Sequence, residues 1–189
     1  MSESEIETLP YNGVLQRYRD YLPIGEKTPI ITLGEGQTPL VKSRSLGAEL
    51  GCGELYFKLE GCNPTGSFKD RGMVLAVAKA MESGSKSIVC ASTGNTSASA
   101  GMFAANENIE CDVYIPEGEI SPGKLSQAYQ FGTQLIQVKG NFDDAFLKSL
   151  DAIKESGGYT VNSVNPFRIE GQKTIPYRAL EFIDWEVPD

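Results

Sequence analysis

The sequence predicts an α/β fold, a doubly wound parallel sheet with flanking helices, and three observations carry that expectation. Four short apolar runs, at residues 87–91, 111–116, 134–138 and 159–162, read as strands. Their centres recur every ~24 residues, which leaves room for one helix and its two turns between successive strands. The intervening segments, 96–106, 122–131 and 142–155, carry helical periodicity, as crossovers between parallel strands require.

The remaining elements follow in chain order. Residues 11–20 predict a short helix with Val14, Leu15 and Tyr18 on one face. Pro23 and Pro29 bracket an extended lead-in to a first strand at 30–33, and the turn 34–39 leads to a second short strand. Residues 43–50 predict a small helix stopped by Gly51 and Gly53, and 55–60 a strand. The glycines at 47, 51 and 53 lack the strand-to-helix setting of a dinucleotide fingerprint. A long helix is expected over 70–81, where Met73, Val74, Val77, Ala78 and Met81 recur at helical spacing and Gly84 follows. Ser121 is the expected cap of the helix that begins at Pro122. The final helical pattern, 167–183, contains Pro176, which should kink or shift its first turns. The expected organisation is a lead-in with the long helix (1–85), a βαβ domain (86–165) and a crossover helix (166–189).

Composition excludes whole classes of function. With 17 basic and 25 acidic residues the net charge is −8, which argues against nucleic acid and anionic membrane surfaces as partners. There is no apolar run long enough for a membrane span. The sequence has no histidine, so histidine-based zinc sites, Ser-His-Asp triads and Cys-His dyads are out. The four cysteines contain no C-x-x-C pair and read as buried thiols in a reducing, cytoplasmic setting. Acid–base work must fall to Lys, Asp, Glu, Tyr or Cys.

Three loops, expected at the carboxyl ends of strands where doubly wound sheets bind ligands, carry groups suited to such work. Residues 61–72 read Gly-Cys-Asn-Pro-Thr-Gly-Ser-Phe-Lys-Asp-Arg-Gly and place Lys69 at the mouth of the long helix. A helix N-terminus disfavours an ammonium, so its neutral, nucleophilic form is easier to reach there. An ordinary surface lysine after a turn is the plainer reading of that residue alone. Ser92, Thr93, Gly94, Asn95 and Thr96 surround the start of another helix, a setting that binds phosphate or carboxylate equally well. Asn162, Ser163, Asn165 and Arg168 follow the fourth strand, and the arginine can grip an oxyanion bidentately. Turn and capping chemistry explains part of this third loop equally well. Phe142, at a strand-to-helix junction, is more often a core residue than a ring-stacking one.

The stretch from Asn63 to Arg71 resembles the cofactor-lysine motif of the fold-type II pyridoxal-phosphate enzymes, the tryptophan synthase β family. Three further stretches, 34–40, 91–97 and 162–174, are similar to those of the threonine synthases of the shorter bacterial and archaeal kind. All four occur in order, from about Tyr11 to the last residue. The resemblance implies a fold-type II architecture with pyridoxal 5'-phosphate linked to Lys69, which also moves protons. It implies that Asn95 contacts the cofactor's phenolic oxygen, Phe142 lies against its ring, and Ser92, Thr93, Asn95 and Thr96 hold the substrate carboxylate. Asn162, Ser163 and Arg168 would bind the phosphate of O-phospho-L-homoserine, the small-molecule substrate. A cytoplasmic homodimer is the implied full-length form.

The family's glycine-rich loop for the cofactor phosphate lies further along the chain than this sequence runs. The expectation is therefore an N-terminal portion that retains cofactor weakly and turns over little by itself. Threonine dehydratase or cysteine synthase is the alternative within the family. A non-catalytic remnant or a subunit of a split enzyme is the alternative outside it.

Overall fold

The computed structural model describes residues 11–118 and 122–188. Helix α1 (Gly13–Arg17) leads through a 3-10 turn (Arg19–Tyr21) to strand β1 (Leu40–Lys42), helix α2 (Leu46–Glu49) and strand β2 (Tyr56–Lys58). A second 3-10 turn (Glu60–Cys62) opens the loop that ends at α3 (Lys69–Glu82). The alternating part follows: β3 (Ser87–Ala91), α4 (Asn95–Glu107), β4 (Glu110–Pro116), α5 (Pro122–Gln130), β5 (Gln134–Val138), α6 (Phe142–Ser156) and β6 (Tyr159–Thr160). Helices α7 (Pro166–Gln172) and α8 (Thr174–Glu181) complete the described chain.

The main sheet has the order β5-β4-β3-β6 and is parallel throughout. Helices α4 and α5 pack together on one face, and α6 crosses β3, β4, β5 and β6 on the other, so the sheet is doubly wound as expected. The period-two pattern of the strands sorts the core into its two layers. Ile88, Cys90, Cys111, Val113 and Ile115 join the larger cluster under α3 and α4. Val89, Ala91 and Tyr114 turn the other way, to Ala145, Phe146 and Ile153 of α6. The larger cluster runs from Val14 of α1 to Val161 after β6, with the partly buried Phe167 and Tyr177 packed against it.

Helix α3 is enclosed on more sides than its periodicity predicted. Leu75, Ala76 and Ala80 are as inaccessible as the expected stripe, because α1, α4, α7 and β3 all pack against it. Helix α6 shows the opposite case, a surface helix whose start is fixed by its own chain. Asn141 and Asp144 form a reciprocal capping box there.

Four expectations are corrected. No strand forms at 30–33, because the buried Glu35 carboxylate accepts from Leu33 N (2.9 Å), Thr32 Oγ1 (3.0 Å) and Val14 N (2.9 Å), folding the segment back on itself. Strand β2 pairs antiparallel with β1 in a separate two-stranded sheet, so the Lys69 loop does not leave the carboxyl end of a parallel strand. Strand β6 is only two residues long, since the Asn162 side chain takes over the ladder. The final helix is two helices meeting at Lys173, with Pro176 in the first turn of α8, where a missing N–H matters least. The Ser121 cap lies outside the described residues.

Candidate functional site

From β3 the chain winds outward through β4 to β5 and then returns to the far side of β3 as β6. Winding reverses between β3 and β6, and a crevice at the carboxyl ends of such a pair is where open α/β sheets bind ligands. The loops at residues 92–96 and 162–168 leave from those two ends. Asn162 fastens them together: its Oδ1 accepts from Ala91 N and its Nδ2 donates to Ala91 O, both at 2.9 Å. The side chain thereby imitates one more residue of backbone pairing and keeps one N–H in reserve.

Lys69 reaches this region from the other side, as the first residue of α3. The loop ahead of it is tightly specified, with Asn63, Thr65 and Ser67 buried and Pro64, Gly66 and Phe68 exposed. Asn63 accepts from Gly36 N (2.8 Å) and donates to Glu60, while Ser67 Oγ accepts from Lys69 N at 3.3 Å. Gly66 sits at φ 79°, a left-handed conformation that suits a residue without a Cβ. Lys69 itself is half-buried, with its Nζ 4.4 Å from the Phe68 ring centroid. Burial, helped by the Arg168 guanidinium, holds its ammonium below the ordinary lysine range, and no carboxylate among the described residues opposes this. The result is an amine biased toward its nucleophilic form.

The start of α4 is open. Gly94 occupies the N-cap position and no side chain caps the helix. Ser92, Thr93 and Thr96 are half-buried and Asn95 is exposed around these free N–H groups. Ser92 Oγ accepts from Gly94 N, and Ser97 turns its hydroxyl inward onto Gly94 O, leaving the outer rim polar. An oxyanion fits here by the chemistry of the donors.

The third group divides. Ser163 is exposed beside the crevice, whereas Arg168 is 1% exposed. Its Nη1 donates to Val161 O at 2.6 Å, and its Nε has no partner. Phe142 stands 45% exposed at the start of α6, beyond the edge strand β5 and two strand spacings, about 10 Å, from β3. The structure therefore brings Lys69, Arg168, Asn162 and the Ser92–Thr96 loop to one end of the sheet and leaves Phe142 to one side.

Several residues that shape the site are not legible as site residues in the sequence. Arg71 is fully buried, donating to Glu60 through Nε and Nη2 (2.8 Å each), to Gly36 O (2.9 Å) and Thr38 Oγ1 (3.0 Å), and to Thr174. Glycines let α3 and α7 touch backbone to backbone. A Cβ on Gly171 would lie 2.2 Å from Arg71 O, and one on Gly72 would lie 2.5 Å from Arg168 O. That close crossing sets Arg168 against the first turns of α3. The only sequence signal was the pair of glycines, each interrupting a helical pattern.

Residues 31–189 match the model of the pyridoxal-phosphate dependent enzyme family. The chain belongs to that family. The threonine synthase of Bacillus sp. (strain ULM1) is 54% identical over 171 residues, which is 90% of this chain and 48% of that protein. The threonine synthase of Methanocaldococcus jannaschii is 51% identical over 173 residues, 92% of this chain and 43% of that protein. The chain thus spans about half the length of the curated relatives it matches. Among solved structures, maize serine racemase superposes with a TM-score of 0.73 at 23% identity, covering 92% of this chain and 51% of that one, a likeness of fold. The fold is that of the fold-type II pyridoxal-phosphate enzymes. The residues fit the family's cofactor: an amine with a depressed basicity is available for covalent attachment, and open donors lie across from it. No helix among the described residues is long and apolar enough to cross a membrane.

Proposed function

We propose that this chain supplies the lysine-bearing part of a threonine synthase, which converts O-phospho-L-homoserine and water to L-threonine and phosphate. The observation that carries this is its identity of 54% and 52%, over nine-tenths or more of its length, to relatives that bear that name. When bound, pyridoxal phosphate supplies an electron sink for charge that develops on the substrate's carbons. The protein's own groups do the rest. Lys69 Nζ holds the cofactor and then takes and returns protons at the substrate's α and β carbons, a task suited to an amine held below its ordinary range. Asn95 would donate to the cofactor's phenolic oxygen. Ser92, Thr93, Asn95 and Thr96, with the open N–H groups of α4, bind the substrate carboxylate. Asn162, Ser163 and Arg168, with Thr96, would bind the leaving phosphate, and Phe142, which stands to one side in this state, would have to move over to lie against the cofactor ring.

For Arg168 to serve, its guanidinium must turn from Val161 O toward the crevice, because in this state it is enclosed. In this reading residues 1–85 and 166–189 belong to the larger domain, 86–165 form the smaller one, and the working enzyme is a cytoplasmic homodimer. The chain alone, spanning half its relatives' length, holds cofactor weakly and turns over little.

The test is to add pyridoxal phosphate, follow the visible absorption of the adduct, trap it with borohydride and locate it by mass spectrometry. The adduct is expected on Lys69 and absent from Lys69→Ala; the same adduct on the variant removes the reading. The enclosure of Arg168 favours a second reading, a related dehydratase with no phosphate to bind. In the active enzyme Arg168→Ala should cripple use of phosphohomoserine far more than use of threonine, and equal losses would select the dehydratase.

A further inference from the structure

We propose that Asp70 is a positioning residue, a buried strut that fixes Lys69 against the loop formed by Ser92–Thr96. The proposal rests on the reading of Lys69 as the cofactor-bearing amine and adds a residue to which that reading assigns nothing. Asp70 follows Lys69 directly and is fully buried. Its Oδ2 accepts from Thr65 N at 2.8 Å, and its Oδ1 accepts from Thr65 Oγ1 at 2.5 Å and from Ser99 Oγ at 2.6 Å.

Those three bonds join three separate pieces of chain. Thr65 lies in the loop that delivers Lys69. Ser99 lies on α4, four residues after Asn95 and so on the same face of that helix, one turn beneath the open N-terminus. One carboxylate thus ties the first turn of α3 to the second turn of α4, just beneath that helix's open start. Ser99 is also fully buried, so the link is sheltered from water. The Lys69 N–H itself makes only the longer bond to Ser67 Oγ, at 3.3 Å.

The charges around the pair agree with a strut. Burial raises the Asp70 carboxyl above its ordinary range, and the bonds from Ser99 and Thr65 and the charge of Arg168 act against that rise. The groups acting on Lys69 are its own burial and Arg168 of α7, an arginine that Cys90 of β3 and Asp70 both face; Asp70 does not act on Lys69 directly. The carboxylate acts by holding position and leaves the ammonium without a counter-charge.

The test compares the wild-type chain with Ser99→Ala, which keeps every charge, and with Asp70→Asn. Competitive acetylation across a pH series, read by mass spectrometry with exposed Lys148 as reference, gives the titration midpoint of Lys69. Circular dichroism checks folding, and borohydride trapping measures the pyridoxal phosphate adduct. Both variants are expected to raise the Lys69 midpoint toward that of an ordinary lysine, because a released amine leaves its half-buried seat beside Arg168, and to lower the trapped adduct several-fold. A lowered melting temperature with an unmoved midpoint makes Asp70 structural only and overturns the proposal. A midpoint that falls in Asp70→Asn marks a loss of negative charge as the cause and overturns it equally. If Asp70→Asn fails to fold, Ser99→Ala decides alone. Absence of adduct from wild-type Lys69 would sink the cofactor reading, while the acetylation midpoint still judges the strut.

Discussion

The loop that delivers Lys69 and the loop that follows β3 are both polar, glycine-containing and placed at a helix start, yet they use their polar groups in opposite ways. In the first, Asn63, Thr65 and Ser67 turn inward and are each engaged with backbone or a buried carboxylate. In the second, Thr93, Asn95 and Thr96 surround a helix end that no side chain caps. A committed polar group holds a shape, whereas an uncommitted one at a helix N-terminus binds a ligand. The first loop is therefore scaffold around Lys69, and the second, under the proposed function, is the receptor. Substitutions should separate them, with stability lost in the first and ligand binding in the second.

The largest stability loss is expected at Arg71, which anchors the scaffold side. Arg71→Met takes the guanidinium from Glu60, which keeps only Thr38, Asn63 and Lys58, and removes a donor from Gly36 O; removing one partner of a buried pair costs about 3–5 kcal/mol. Urea denaturation measures this, and a loss under 1 kcal/mol would show the network to be incidental, in the usual ±0.5 kcal/mol range of surface changes. Next is Gly171→Ala, whose Cβ meets the backbone of α3; overpacking of this kind costs about 1–3 kcal/mol. It should also push Arg168 out of its seat, so the two helix faces separate together.

On the receptor side, Thr93→Val and Asn95→Ala should leave stability within about 0.5 kcal/mol of wild type while weakening carboxylate binding, which calorimetry on the active enzyme would measure. Equal damage to folding would erase the distinction between the loops.

The smallest effect concerns the thiols at the root of each loop. Contrary to the expectation of buried thiols, Cys52 and Cys62 are exposed, Cys62 in the first loop, whereas Cys90, the penultimate residue of β3, is buried and its thiol is pushed up to about 12. At pH 8 a thiol reagent should modify Cys52 and Cys62 and spare Cys90 and Cys111 until the chain unfolds. The sign for stability follows. Folded Cys90 keeps its proton where the unfolded thiol, near 9.0, releases it, so its contribution is full below that pH and is lost as pH climbs toward about 12.

Much of the receptor side was legible in the sequence because it is local. The strands β3 to β5 and the helices after them announce themselves by period, and a glycine-and-hydroxyl loop between strand and helix points to an oxyanion or a cap. The scaffold side was less so. Arg71 was indistinguishable from a solvated arginine, since its partners come from positions 36, 38, 60 and 174. Arg168 read as an open oxyanion clamp, and its enclosure depends on a helix crossing that two distant glycines permit.

By itself the sequence determined the alternation that makes a doubly wound sheet, the order of its loops, and a lysine at a helix mouth in a chain without histidine. Those features depend on the spacing of residues along one segment, which short-range sterics and periodic burial suffice to set. The tertiary structure alone decided which charged groups went inside, which strands stood apart from the main sheet, and which side chain braced Lys69. Such choices depend on whether donors far away in the chain arrive to offset the cost of burying a charge. That balance is struck only when the helices pack.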